Sequence, residues 1–131
     1  MKRDIILSGV GGQGILSIAA VIGRAALEDG LHIKQAEVHG MSQRGGSVST
    51  QVHWGEKVHS PVIGKGAADI IVAFEKMEAV RYADYLKPDG VAVINDYEIE
   101  KVFAEQLSKT FDSLIPIFCI VIVFSRKLLV E

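Results

Sequence analysis

Residues 4–26 read DIILSGVGGQGILSIAAVIGRAA, and this stretch decides the fold. Ile5, Ile6 and Leu7 form a short, unbroken apolar run that predicts a buried strand over Asp4 to Ser8. A glycine-rich turn, Gly9 to Gly14, follows at once. Ile15, Ile18, Ala19, Ile22 and Ala26 then recur at helical spacing, and Gly30 supplies the stop signal expected just past a last helical turn. A second strand is expected over Leu31 to Val38, which completes a strand–helix–strand unit with a right-handed crossover.

The rest of the chain repeats the plan. Asp69 to Phe74 is a strongly apolar strand. Glu75 to Leu86 is an amphipathic helix with Met77, Val80, Ala83 and Tyr85 as packing residues, Lys87-Pro88-Asp89-Gly90 is a turn, and Val91 to Asn95 is the next strand. Between the two units, Ser47 to Trp54 and Lys57 to Ile63 flank Gly55-Glu56 and read as an antiparallel hairpin, with Pro61 at an edge or strand end. Alternating strands and helices predict an α/β fold: a three-layer Rossmann-like domain whose sheet is mostly parallel, with one antiparallel hairpin. Glu98 to Lys109 is compatible with a helix. Leu114 to Phe124 is almost continuously apolar and too short to cross a bilayer as a helix, which takes about 20 residues. It reads as a last buried strand or as an altered end that exposes apolar surface.

Composition narrows the function classes. A chain of 131 residues is one domain, 1–131. Its net charge of −2, without a long run of one sign, argues against nucleic acid or an anionic membrane as the main partner. The single cysteine, Cys119, can neither close an internal disulfide nor supply the four ligands of an ordinary iron–sulfur cluster, so cluster chemistry would have to sit on another chain. The N-terminus runs straight into a strand with no secretory apolar region, and the expected compartment is the cytoplasm.

Two segments carry chemistry. Gly9-Val10-Gly11-Gly12-Gln13-Gly14 fits G-x-G-x-x-G in the context that motif needs, after a strand and opening a helix. Glycines let the backbone approach a ligand, and the helix N-terminus offers free N–H groups to an anion. Gly9, Gly11, Gly12, Gln13 and Gly14 are therefore ligand-binding candidates. The alternative is a turn that only lets strand and helix pack closely. Glu37 stands where a ribose-binding acid would, though later than the roughly 20 residues the dinucleotide fingerprint asks for. The second segment is the loop after the second predicted strand, with Glu37, His39, Met41, Ser42, Gln43, Arg44, Gly45 and Gly46. A loop leaving the carboxyl end of such a strand is where open α/β sheets place their crevice. Arg44 has the planar two-point geometry that suits a carboxylate or phosphate. The alternative is a solvated polar loop. The four histidines, His32, His39, His53 and His59, lack the close pairing of a metal site and read as sheet-surface residues. Asp69 and Glu75 read as strand-end and helix-end charges.

Read together, GVGGQG at 9–14, AEVHGMSQRGGS at 36–47, HSPVI at 59–63 and ADIIVAFE at 68–75 resemble the gamma-type domain of 2-oxoacid:ferredoxin (pyruvate ferredoxin) oxidoreductases. Within that family the long loop is most similar to the small (beta) subunit of indolepyruvate ferredoxin oxidoreductase. The resemblance covers about residues 3–97; beyond Tyr97 the sequence departs from it, so 98–131 is an atypical end. The resemblance implies a non-thiamine subunit of a complex that oxidatively decarboxylates an aryl pyruvate to acyl-coenzyme A and CO2 and reduces ferredoxin. It implies thiamine diphosphate, magnesium, iron–sulfur clusters and coenzyme A on a large (alpha) partner subunit, no catalytic residue and no metal in this chain, and a partner- or active-site-facing role for the 37–46 loop. The rival expectations are a free-standing NAD(P)-dependent dehydrogenase, which rests on the glycine motif and Glu37, and a non-catalytic nucleotide-binding or assembly module.

Overall fold

A computed structural model describes residues 2–40 and 46–96, and the backbone of 120–124. The elements are β1 (Arg3–Val10), α1 (Ile15–Glu28), β2 (His32–His39), β3 (Ser47–Gly55), β4 (Ala68–Ala73), α2 (Lys76–Tyr82), a 3-10 turn (Ala83–Tyr85), β5 (Leu86–Asn95) and β6 (Ile120–Phe124). The strands make one sheet in the order β2-β3-β1-β4-β5-β6. The ladders β1/β4, β4/β5 and β5/β6 are parallel; β3 runs antiparallel to both β1 and β2. None of the described helices is long and apolar enough to cross a membrane.

β1 is buried along all of its length except Arg3, which explains why its sequence is apolar without alternation. Ile5 and Leu7 pack with Ile15 and Ala19 of α1 and with Val48 and Val52 of β3. Ile6 packs on the other face with Ile71, Ala73, Ala92 and Ile94 of the sheet and Ala79 of α2. The two helices thus cover opposite faces, giving the three-layer α/β architecture. Each fully buried Ile or Leu stabilises that arrangement by about 1.5–3 kcal/mol.

Three expectations from the sequence are corrected. The hairpin does not pair 47–54 with 57–63: β3 pairs with β2, from His32↔Gly55 to His39↔Val48, and with β1, from Arg3↔Trp54 to Val10↔Ser47. With both edges of β3 taken, 57–63 has no ladder to join. It runs irregularly beside the sheet, held where the Ile63 N–H donates to Gln51 Oε1 at 2.6 Å and His53 Nδ1 meets the Ser60 carbonyl at 3.0 Å. Second, Lys87-Pro88-Asp89-Gly90 is not a turn between elements but lies within β5. The register steps from Ala68↔Leu86 to Ile70↔Val91, so the extra residues bulge out of the ladder. Third, the helix expected over Glu75 to Leu86 ends at Tyr82 and tightens into the 3-10 turn. The expected helix Glu98 to Lys109, Cys119 and residues 114–119 lie outside the described residues.

Candidate functional site at the carboxyl edge of the sheet

β1 and β4 are parallel neighbours, and the chain goes from β1 through α1 to β2 on one side of them and from β4 through α2 to β5 on the other. Their carboxyl ends therefore diverge, which is where an open α/β sheet forms its crevice. Gln13 fills this position. Its Oε1 accepts from the Val10 N–H at 2.9 Å and its Nε2 donates to the Phe74 carbonyl at 3.2 Å, so one side chain joins the end of β1 to the residue after β4. Gly9 makes room for it: a Cβ there would lie 2.5 Å from Gln13 Oε1, 2.8 Å from Ile15 Cδ1 and 2.9 Å from Phe74 Cβ. Gly14 caps α1 with a left-handed backbone (φ 78) and no side-chain cap.

A cleft of about 440 Å³ opens on the α1 side of this edge. Gly11, Gly12, Gly14 and Ser17 form one wall, and His39 and Val48 the other. The first intrahelical hydrogen bond runs from the Ile18 N–H to the Gly14 carbonyl, so the amides of Ile15, Leu16 and Ser17, which line the cleft, have no partner within the helix; those of Gly11 and Gln13 are taken by the Gly46 and Val10 carbonyls. A carboxylate or phosphate fits such a wall chemically. His39 Nδ1 lies 3.1 Å from the Gly40 carbonyl.

The other sequence candidates fall as follows. Glu37 is exposed on β2 and takes a hydrogen bond from Gln35 Nε2 at 2.8 Å. Because β3 is inserted between β1 and β2, Glu37 stands two strand spacings, about 10 Å, from the strand that carries the glycine turn. A dinucleotide site needs those two strands adjacent. Gly46 comes against the glycine turn, its carbonyl accepting from the Gly11 N–H at 2.8 Å. Met41, Ser42, Gln43, Arg44 and Gly45 lie outside the described residues. His53 is buried rather than on the sheet surface, with Nε2 3.2 Å from Asp4 Oδ1. Groups of three or more His, Cys, Asp or Glu able to hold a metal do not occur among the described residues.

Sequence reasoning missed a polar layer on the opposite face. Glu75 and Glu78 are fully buried. Glu75 caps α2 by accepting from the Glu78 N–H at 3.1 Å, so it stands at the helix end as expected, but its carboxyl is inside the protein. Ser47 Oγ donates to Glu78 Oε2 at 2.7 Å, and the Tyr82 hydroxyl donates to Ser49 Oγ at 2.7 Å. Ser8 Oγ, Glu75 Oε1 and Glu78 Oε1 find no hydrogen-bond partner among the described residues. Two signals were present. Glu75, Glu78 and Tyr82 share a helix face, and Ser47, Ser49, Gln51 and His53 alternate along one side of β3.

Asp69, read as a strand-end charge, anchors an ion cluster at the start of β4. It accepts from the Asp4 N–H at 2.8 Å and from Lys87 Nζ at 2.6 Å, with Arg3 Nη1 at 3.8 Å. Burial pushes its carboxyl up, but the Lys87 and Asp4 hydrogen bonds and the charges of Lys87 and Arg3 outweigh it and hold the carboxyl below its ordinary value. The hydrogen bond to Asp69 raises Lys87 despite its partial burial. This cluster is structural and lies away from the cleft.

Residues 4–119 match the model of the pyruvate ferredoxin/flavodoxin oxidoreductase family. The chain is 44% identical over 113 residues to the indolepyruvate oxidoreductase subunit IorB of Pyrococcus horikoshii, covering 86% of this chain and 56% of that protein. It is 33% identical over 102 residues to the 2-oxoglutarate synthase subunit KorC of Methanothermobacter marburgensis, covering 72% and 51%. The gamma subunit of a keto/oxoacid ferredoxin oxidoreductase from Geobacter sulfurreducens has the same fold, with a TM-score of 0.64, 24% identity, and coverage of 93% of this chain and 60% of that one. The chain thus spans about half the length of the curated relatives it matches.

Proposed function

This chain belongs to the pyruvate ferredoxin/flavodoxin oxidoreductase family, and on that premise we propose that it is the non-thiamine subunit of an aryl-pyruvate:ferredoxin oxidoreductase. The observation that carries the reading is the 44% identity to an indolepyruvate oxidoreductase subunit over 86% of the chain, against 33% over 72% for a 2-oxoglutarate synthase subunit. The reaction is the oxidative decarboxylation of the 2-oxoacid to acyl-coenzyme A and CO2, with the released electrons passed to ferredoxin. One cysteine cannot supply the four ligands of a cluster, and no group of three or more His, Cys, Asp or Glu able to hold a metal occurs among the described residues; this reading assigns thiamine diphosphate, magnesium, the clusters and coenzyme A to a large partner subunit in the cytoplasm. There thiamine supplies the stabilised carbanion.

The contribution of this chain is the shape of the carboxyl edge. The cleft walled by the α1 amides and His39 suits an anionic group of substrate or coenzyme A. Glu37 and His39 are not loop residues but the end of β2, and the segment that follows them, with Arg44, meets the large subunit near its active site. A partner is also supported by α1, whose outward side leaves Val21 69% and Leu27 60% exposed beside Leu16 and Ile18. A helix that is apolar on more than its core-facing stripe is suited to burial on both sides.

The test is reconstitution with the large subunit of an indolepyruvate oxidoreductase. Indolepyruvate- and coenzyme A-dependent reduction of ferredoxin is expected only when both chains are present. Turnover by this chain alone, or failure of the two to associate, refutes the reading.

A further inference from the structure

Hydrogen bonds at the carboxyl edge form a circuit through three segments far apart in sequence. Gln13 joins Val10 to Phe74. Next to Val10, the Gly11 N–H holds the Gly46 carbonyl at 2.8 Å. Next to Gly46, Ser47 Oγ holds Glu78 at 2.7 Å. The Glu78 N–H is capped by Glu75, which follows Phe74 and closes the circuit. Gly46 and Ser47 are therefore gripped from both faces of the sheet, by the glycine turn on one side and by α2 on the other.

Glu78 is an expensive way to fill a core. It is fully buried, and the nearest cation among the described residues is Arg81 Nε at 3.5 Å, on a side chain 55% exposed. An apolar side chain of similar volume would avoid most of the desolvation cost. What it would not do is hold a serine hydroxyl in one place. We propose that Gln13, Ser47 and Glu78 are positioning residues that fix Gly46–Ser47 over the glycine turn and so set the surface this edge presents to the large subunit. This rests on the reading that the edge meets that subunit.

The test uses the full chain as wild type, Ser47→Ala, Ser47→Thr and Gln13→Leu. Amide hydrogen exchange is followed by NMR at Val10 and Gly11, with Ile6 and Leu7 as reporters of global opening. Losing the Ser47–Glu78 hydrogen bond should make Gly11 exchange up to about tenfold faster in Ser47→Ala, with Ile6 and Leu7 changing less than about twofold. Ser47→Thr, which keeps the hydroxyl, should restore the wild-type rate. Gln13→Leu should speed exchange at Val10. In the reconstituted complex, Ser47→Ala should raise the concentration of this chain that half-saturates the large subunit several-fold while kcat at saturation is kept, and Thr should restore it. Unchanged exchange at Gly11, acceleration spread evenly over the sheet, failure of Thr to rescue, or wild-type half-saturation in Ser47→Ala overturns the proposal. A wild-type chain that activates no large subunit overturns the functional reading instead, and the exchange measurements still decide the circuit.

Discussion

Gly9→Ala tests whether the glycine motif serves packing before it serves any ligand. The new Cβ would lie 2.5 Å from Gln13 Oε1, 2.8 Å from Ile15 Cδ1 and 2.9 Å from Phe74 Cβ. The first two of these neighbours end side chains, but Gln13 Oε1 is committed to the Val10 N–H and Ile15 is buried in the core, while Phe74 Cβ is fixed to the backbone. Overpacking of this kind costs about 1–3 kcal/mol. Displacing Gln13 also gives up its bonds to Val10 and Phe74, at about 0.5–1.5 kcal/mol each. The two routes relieve one another in part, so the expected loss is about 2–4 kcal/mol, a large share of the roughly 5–15 kcal/mol typical of a domain. Gly14→Ala meets no atom within 4 Å but forces a left-handed backbone (φ 78), for about 1–2 kcal/mol. Gly64→Ala has open space and no such backbone, and should stay within about 0.5 kcal/mol. Urea unfolding followed by circular dichroism measures all three. The order Gly9, then Gly14, then Gly64 is the expected result. The double variant Gly9→Ala with Gln13→Ala should lose less than the sum of the singles, because the side chain in the way is gone. A Gly9→Ala chain as stable as wild type would refute the packing argument.

Asp69 has a depressed folded-state carboxyl, so its contribution is present above the unfolded value near 4 and is lost as pH falls through the folded value; Asp69→Asn should therefore destabilise at neutral pH and flatten the acid limb of the stability curve, and an unchanged limb would count against the cluster. Titration calorimetry with NAD and NADP should detect no binding in the micromolar range, about −8 kcal/mol, because Glu37 lies two strands from the glycine turn; a micromolar constant would revive the dehydrogenase rival. Truncation after Ser113 removes β6, leaves the Val91–Asn95 edge unpaired and should lower solubility; improved solubility would instead favour the altered-end reading of the tail. Arg44→Lys should lower activity of the reconstituted complex roughly ten- to hundredfold at unchanged melting temperature, since Lys cannot copy a two-point contact; wild-type kinetics in both Arg44→Lys and Arg44→Ala would remove this side chain from the functional account.

What the sequence disclosed and what it hid divide along a physical line. Ile5-Ile6-Leu7, the glycine turn, the helix from Ile15 and its stop at Gly30 were legible because each depends on neighbours a few residues away. Gly30 sits just past the helix with φ 76, as a stop signal should. The partner of β3 was not legible, because the alternation in Ser47–Gly55 specifies faces and not edges, and Gly55-Glu56 ends a strand with the same residues that would turn a hairpin. Pro88-Asp89-Gly90 misled for a related reason: turn chemistry placed inside a ladder produces a bulge, and only the register distinguishes the two. The site divides in the same way. Gly9 and Gln13 were singled out by a ligand-binding motif, yet Gln13 spends both ends of its amide on backbone, and Gly9 is shaped to admit it. Glu78 was passed over because an acid on a helix is ordinarily solvated, while here the helix phase turns it toward Ser47. A motif reports which residues are required at a position. Whether a ligand or the fold requires them is decided by where the polar atoms find their partners. In this chain Gln13 joins Val10 to Phe74 and the Gly11 N–H holds the Gly46 carbonyl, so these motif residues meet the fold's own demands at the sheet edge before any ligand's.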